Sequence, residues 1–468
     1  MYQLTPRPGF GQRHISRPRP CPYLTYDALN KYTRSPVTIK LIRDDLLQFG
    51  NTTSRPVDCM MDLAIAQARR AFSLPEPVKM IHLNDIFSLD LPIWSSSPGL
   101  PWSQLGYRTK NDIRHDVHAI KKIRYFWHRI KYGEKLSFPD SCAFVRSHLV
   151  EYGEHKVRAV WGYPATVTFG EAVFAIPLIE AYQNGSYPIA YGYETAVGGA
   201  RKLLNELKGE FHHAFDFKSF DKSVPEWLIR IAFKILLQNI NFCEYRDYGI
   251  ANAERNFVMF QSIVDYFINT KIRMCNGERF LKRGGVASGS YFTQLIDSIV
   301  NYILITWINL KIANCLPQYI KVMGDDVIFS GRKVDINEAQ DLLATIGMRL
   351  NIQKSAISRD PSDLTFLGYE LNHGAPSRPF DKWMAALLFP ERPDKCWDDV
   401  ASRAVGLLYA CAACDSKFDG LCRTIINLRP FDLQLPLGMR RMLNMIGVFD
   451  IKKDPPPPLE FYKRMGII

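Results

Sequence analysis

Tyr319-Ile320-Lys321-Val322-Met323-Gly324-Asp325-Asp326-Val327-Ile328-Phe329-Ser330-Gly331 places β-prone runs on either side of a Gly-Asp-Asp centre. Tyr319 to Met323 is predicted as one short strand and Val327 to Phe329 as another, with the Gly-Asp pair as the turn. Two adjacent carboxylates then sit at the tip of a hairpin whose flanks are apolar enough to be buried. Like charges held together are unfavourable unless a cation lies beside them, and a hard divalent ion such as Mg²⁺ takes carboxylate, water and phosphate oxygens. For the tripeptide alone, a solvated turn is the plain alternative, because Gly-Asp is common in turns. The surrounding chain weighs against it.

Upstream, Phe211 to Phe215 reads as a strand ending at Asp216, which opens Asp216-Phe217-Lys218-Ser219-Phe220-Asp221. This spacing runs from strand end into a turn, so Asp216 and Asp221 can reach one pocket from different depths. Trp227 to Leu237 is predicted as the following helix. Small residues fill Gly284 to Ser290, and a long helix follows with Thr293, Asp297 and Asn301 at steps of four. That step puts three polar side chains on one face of an otherwise apolar helix. Buried polar groups need partners, so the stripe points to a hydroxyl-rich ligand or to neighbouring carboxylates, with a self-satisfied helix face as the alternative.

Basic residues precede these acidic ones. In Arg146 to Pro164 two β-like runs flank a Tyr-Gly-Glu turn, and Lys156 and Arg158 alternate at i, i+2. Period-two spacing sends both cations to one strand face, and with Arg146 opposite they form a clamp suited to a triphosphate. Ser95 to Trp102 is a rigid Pro/Gly loop with an expected exposed Trp102, fit to touch a backbone or stack on a base. Asp58 to Phe72 is the best early helix. Asp116 to Tyr132 is a second, with Lys121, Lys122, Arg124, Arg129 and Lys131 off its apolar face; this is either a solvated surface or a nucleic-acid-facing stripe. After the hairpin come a helix from Ile336 to Ile346, a strand or turn presenting Lys354, and a strand from Thr365 to Leu371. Helices are then expected around Val400–Ala413 and Gly420–Asn427, and Pro455 to Pro458 reads as a stiff spacer before a basic-aromatic tail.

The 468 residues carry a net charge of +12, which favours a polyanionic partner, nucleic acid first and an anionic membrane second. Ten scattered cysteines lack a disulfide rhythm, implying a reducing compartment. Cys411, Cys414 and Cys422 are the one metal-like group, with buried thiols as the expected alternative to zinc. The N-terminal segment is Pro-rich and basic (Arg7, Arg13, Arg17, Arg19), carries no signal-peptide pattern, and is expected to lie extended over protein or RNA. Phe292 to Leu310 is apolar but interrupted by Gln294, Asp297, Asn301 and Asn309, so no membrane span is expected there.

Three stretches in order, DFKSFD at 216–221, SGSYFT at 288–293 and GDD at 324–326, resemble the palm motifs of RNA-dependent RNA polymerases of RNA viruses. The wording GGVASGSYFTQLIDSIVNY, with KVRAVWGYP and TFLGYEL, is most similar to the partitivirus and picobirnavirus branch, whose genomes are double-stranded RNA, and to a partitivirus in particular. Many plus-strand relatives place Asn where Asp297 stands. The resemblance covers roughly residues 95–371.

It implies an α/β (α+β) right-hand fold with fingers, a small antiparallel palm sheet with helices, and a mostly helical thumb. The expected division is 1–36 N-terminal arm bridging fingers and thumb, 37–210 fingers, 211–240 palm, 241–283 fingers insertion, 284–374 palm, 375–454 thumb and 455–468 tail. Asp216 and Asp325, helped by Asp326, are the expected ligands of two Mg²⁺ ions, with Mn²⁺ possible. Lys156, Arg158 and Arg146 would hold the nucleoside triphosphate, and Lys354 would protonate the departing pyrophosphate. Asp221, Thr293, Asp297 and Asn301 would meet the ribose hydroxyls, Ser288-Gly289 would let the backbone approach closely, and Ser97, Pro98 and Gly99 would touch template. Implied partners are template and nascent RNA, nucleoside triphosphates and a viral capsid protein, with no membrane, in the virion interior and host cytoplasm. The rival readings are a reverse transcriptase and a non-catalytic RNA-binding or capsid-associated protein. Asp221 weighs against the first, where a bulky aromatic usually stands. The acidic set weighs against the second, since its charge opposes RNA unless metals are present.

Overall fold

In the computed structural model, Tyr319–Met323 and Asp326–Gly331 pair antiparallel around a two-residue turn, with Met323 opposite Asp326. Gly324 takes φ +65°, a conformation open to glycine without strain, and opens a turn of the hairpin type that suits twisted strands. The structure describes residues 1–10, 20–24, 31–390, 393–435, 440, 443–444, 446–450 and 455–468.

Phe211–Phe215 pairs with the second hairpin strand, Phe215 opposite Val327, and Ala356–Ser358 closes the other edge. The result is a four-stranded antiparallel sheet ordered 319–323, 326–331, 211–215, 356–358. One position beyond the Phe215–Val327 pair, the register brings Asp216 level with Asp326.

Behind this sheet lies the Thr293–Ile312 helix, buried along nearly its whole length. It packs on Cys59–Ala71, whose capping residue Asp58 accepts from Met60 N at 2.9 Å and from Trp307 Nε1 at 2.9 Å. One side chain thus caps one helix and anchors another. Ala165–Gln183 is equally apolar, and each of these helices is long and apolar enough to cross a membrane, yet 83% of the residues in its most apolar stretch are buried inside the protein. They are core helices, as the polar interruptions in 292–310 predict.

A five-stranded sheet stands beside the first, ordered 2–4, 279–281, 271–273, 141–147, 157–162. Its first strand is the start of the chain. Arg273 and Arg279 both pair with the buried Asp140 and also donate to the carbonyls of Pro8 and Thr5, fastening the N-terminal segment. Further along, Cys21 N donates to Leu388 O and Cys21 packs in the C-terminal helical cluster. Tyr32–Arg34 pairs with Leu149–Glu151, and Arg34 donates to Ser147 O on one side and to Phe389 O and Pro390 O on the other. The described parts of the N-terminal segment thus contact both the five-stranded sheet and the C-terminal helical cluster; Arg13, Arg17 and Arg19 lie outside the described residues.

Three expectations are corrected. Thr365 to Leu371 is a hairpin of Thr365–Phe366 and Tyr369–Glu370, because Leu367 and Gly368 both take positive φ, +52° and +82°. Pro455 to Pro458 is no free spacer: Pro455 and Pro456 carbonyls accept from Arg423, and Pro458–Arg464 is a helix with Phe461 fully buried. The tail thus belongs to the helical cluster built from Phe380–Leu388, Trp397–Cys411 and Ser416–Ile426. Trp102 is only 4% exposed, its Nε1 donating to Thr166 Oγ1 at 3.0 Å, so it stacks on no base. Cys411, Cys414 and Cys422 are buried thiols or nearly so, and burial pushes each upward; no cluster of three ligating side chains exists among the described residues.

Candidate active site

Asp216 leaves its strand, and its backbone is then fixed from both sides: its N–H donates to Ser355 Oγ at 3.1 Å, and its carbonyl accepts from Asn351 N at 2.7 Å. Asp325 stands at the open tip of the hairpin and Asp326 begins the next strand. Loss of water in the cleft raises the Asp326 carboxyl to about 7, with Asp325 and Asp216 adding repulsion. Asp325, although accessible at the turn, is likewise pushed up by the protein around it and by Asp216. Burial raises Asp221 as well. Asp297 is pushed far up by burial and then by Asp221 and Asp325, and its Oδ1 has no hydrogen-bond partner. The five carboxylates share one electrostatic field, and the fold holds them there at a free-energy cost.

An all-oxygen donor set that repels itself, with one buried oxygen unpartnered, fits a hard divalent cation. Asp216, Asp325 and Asp326 carry the oxygens that would hold it, with the unpartnered Asp297 Oδ1 behind them. They share the field without yet forming a closed ligand cage among the described residues.

The basic face assembles as its alternation predicts. Val157 and Ala159 are buried while Lys156 and Arg158 are exposed on the same side, and Arg146 lies directly opposite Arg158. Burial lowers His148 to about 4, and the charges of Arg158, Lys156 and Arg146 add to it, so all three cations crowd one spot. Lys156 is lowered by burial and by Arg158 and Lys354, which puts the exposed turn at Lys354 on this side too, while Asp216 opposes the shift.

Two expected ligand contacts are corrected. Asn301 is fully buried, and its Nδ2 donates to the Gly324 and Asp325 carbonyls at 3.0 Å each. It holds the acidic turn and does not reach a ribose. Ser298 assists, its Oγ accepting from Gly324 N at 2.9 Å. Gly289 lies against the strand at Trp161, whose carbonyl would be 1.7 Å from an added Cβ; its missing side chain admits a neighbouring strand of the protein itself. Ser288 Oγ accepts from Trp161 N at 3.1 Å, joining the glycine loop to the basic strand. Thr293 Oγ1 donates to Ala287 O inside the same loop. Pro98 and Gly99 are buried, with Pro98 O accepting from Ala165 N, while Ser97 stays partly accessible.

Four residues that sequence reasoning missed hold these parts together. Asp45 pairs with Lys222, next to Asp221, and accepts from Ala159 N, next to Arg158. Lys282, fully buried and lowered by that burial to about 7, donates to Phe267 O and Gly285 O at 2.6 Å each. Lys110, also buried, donates to Ser97 O at 2.6 Å. Glu171 accepts from Ser290 Oγ at 2.7 Å and Tyr291 N at 2.9 Å, tying the glycine loop to the Ala165–Gln183 helix. An acid amid the apolar run of its helix was the available signal for Glu171; Asp45 reads as an ordinary surface residue.

Burial raises the Glu171 carboxyl to about 8, above its unfolded value near 4.5, so the folded protein carries it neutral at pH 7. Its contribution is intact below the unfolded value and is lost as pH climbs through the window to about 8. Glu171→Gln, neutral at every pH, is expected to remove that part of the decline. Urea midpoints of both proteins at pH 5 and pH 8 check it: the variant should gain on the wild type at the higher pH.

The viral RNA-dependent RNA polymerase family matches residues 12–389, and the chain belongs to it. Its relatives include the RNA-directed RNA polymerase of Atkinsonella hypoxylon virus, 27% identical over 332 residues (60% of this chain, 49% of that one). That of Cryptosporidium parvum virus 1 is 25% identical, covering 68% and 63%, and that of White clover cryptic virus 1 is 24% identical, covering 55% and 46%. The matched region thus spans about half to just under two thirds of these relatives' length. The double-stranded RNA virus branch read from the glycine loop agrees with them. Among solved structures, Sicinivirus 3Dpol RNA dependent RNA polymerase superposes with a TM-score of 0.70 at 14% identity, covering 96% of this chain and 100% of its own. The fold is the polymerase right hand.

Proposed function

We propose that this chain is the catalytic body of an RNA-dependent RNA polymerase that copies and transcribes a double-stranded RNA genome. The observation that carries the reading is the convergence of Asp216, Asp221, Asp297, Asp325 and Asp326 at one end of the antiparallel sheet, faced by Arg146, Lys156 and Arg158. A non-catalytic RNA binder has no use for so much negative charge beside its cations.

Divalent cations (Mg²⁺, or Mn²⁺ in its place) held by Asp216 and Asp325, with Asp326 beside them, would neutralise charge developing on the attacking and leaving oxygens. Arg158, Lys156 and Arg146 bind the incoming triphosphate from the opposite strand face, already oriented and needing no rearrangement as charge shifts. Asp221 and Asp297 lie where a ribose 2′-OH can both donate and accept, which selects ribonucleotides. Lys354, on an exposed turn beside Lys156, supplies a proton to pyrophosphate as it leaves. Ser97 touches template while Pro98 and Gly99 keep that loop's shape.

Residues 37–210 and 241–283 serve as fingers, 211–240 and 284–374 as palm, and 375 onward, including the 458–464 helix, as thumb. Template and product RNA and nucleoside triphosphates are the working partners. The viral family supports placing the enzyme with its capsid protein, inside the virion and in the host cytoplasm. Template-dependent incorporation of labelled ribonucleotides with Mg²⁺, absent with deoxyribonucleotides, tests the reading; equal use of both would defeat the ribose assignment, and no incorporation on any primed template would defeat the reading itself.

A further inference from the structure

The ladder between Ser141–Ser147 and Val157–Gly162 ends at the Ser147–Val157 pair, and Lys156 is the first residue past it. The residues leading into Lys156 form an open turn. Tyr152, Glu154 and His155 are exposed, and Gly153, at φ +95°, has nothing within 4 Å of an added Cβ. The turn's own packing therefore does not place Lys156. Its ammonium is lowered first by burial and then by repulsion from Arg158 and Lys354, while Asp216 opposes the shift. Two like charges beside it push Lys156 away from the clamp, so its backbone needs a hold.

That hold comes from Ser35, which is fully buried. Its Oγ accepts from Lys156 N at 2.9 Å and donates to Pro36 O at 3.1 Å. Its N–H donates to His148 O at 2.9 Å, and its carbonyl accepts from Ser147 Oγ at 2.6 Å. His148 N in turn donates to Lys156 O at 3.2 Å. One serine thus touches both arms of the basic hairpin at the point where their ladder stops. Pro36 restricts the residue before it to extended backbone. Tyr32–Arg34 is already paired with Leu149–Glu151, so Ser35 has little freedom of its own.

The geometry points to Ser35 as a positioning residue for Lys156 and, through it, for the triphosphate; the ligand rests on the function proposed above. The serine itself touches no substrate. A hydroxyl that accepts and donates at once fixes the Lys156 main chain in one place. The ammonium, a point charge on a flexible four-carbon stem, then swings from a fixed root. Alanine keeps the backbone contacts to Ser147 and His148 and removes the acceptor for Lys156 N. The hairpin should therefore stay folded while the root of Lys156 loosens.

Ser35→Ala, Lys156→Gln and the double variant are compared with the wild type on the full chain. The probe is a fluorescently labelled ATP with Mg²⁺, titrated directly, beside steady-state incorporation on a primed template and a thermal melt. Lys156→Gln should weaken ATP binding about tenfold or more, the scale of one charge-assisted hydrogen bond. Ser35→Ala should weaken it about threefold and raise KM about as much, with kcat held within about twofold. The double variant should match Lys156→Gln alone, because the serine then has nothing left to position. Wild-type binding in a folded Ser35→Ala protein would overturn the proposal. So would losses that multiply in the double variant, which would make the serine independent of Lys156. Wild-type binding by Lys156→Gln would remove Lys156 from the triphosphate site, and this role of Ser35 with it. The coupled loss of ATP binding in a protein that incorporates no nucleotide would uphold Ser35 and sink the polymerase reading alone.

Discussion

Asp325→Asn is expected to cut nucleotide incorporation by more than about a thousandfold, the scale of losing several kcal/mol of charge stabilisation at the reacting oxygens. The same change should leave the thermal midpoint of the divalent-free protein equal to or above that of the wild type. Asp325 sits in the field of Asp216, and it adds repulsion to the Asp326 carboxyl, which burial above all raises to about 7. Removing one charge relieves the other two. Added Mg²⁺ should raise the wild-type midpoint, because a ligand that binds only the folded form stabilises it, and should raise that of Asp325→Asn much less. A thermal melt with and without Mg²⁺, run beside the incorporation assay, separates a lost metal ligand from a misfolded protein. Equal activity in both proteins would remove Asp325 from the mechanism.

Asp45→Ala should be the most damaging single change outside the carboxylate cluster, lowering stability by about 3–5 kcal/mol. Asp45 and Lys222 side chains are only 7% and 9% exposed, and alanine would leave a buried ammonium and the Ala159 N–H without partners. Asp45→Asn keeps an acceptor for Ala159 and should lose less. Replacing both members, Asp45→Leu with Lys222→Met, should recover much of the stability, since the buried pair gives little net gain over apolar side chains. Function should not recover with it. Asp45 sets the distance between the Asp221 segment and the Arg158 strand, so KM for the nucleoside triphosphate is expected to stay raised in the double variant. Urea unfolding and steady-state kinetics on the four proteins decide this.

The parts of the fold written into neighbouring residues were legible. The hairpin at 319–331, the alternation at 156–158 and the four-step stripe from Thr293 need only local pattern, and the structure places them as expected. Pairings across the chain were not. Nothing around Tyr2 announces a strand against Arg279–Leu281, and nothing around Asp45 announces a partner at Lys222. Local reading failed outright where a residue does something rare for its type. Leu367 at positive φ turns what looks like one strand into two. Pro458 begins a helix at the position where proline's missing N–H is harmless, so the proline run ends in packed structure. Among the site residues, type and spacing located the charge but not who holds whom. The Asn301 amide looked like a ligand for ribose because a sequence does not display the carbonyls of the Gly324 turn.

Arg34 joins the Ser141–Ser147 strand to the C-terminal helical cluster through carbonyls on both. In mechanical terms it is a rivet: a planar guanidinium bonded to carbonyls of both parts resists their being pulled apart at that point.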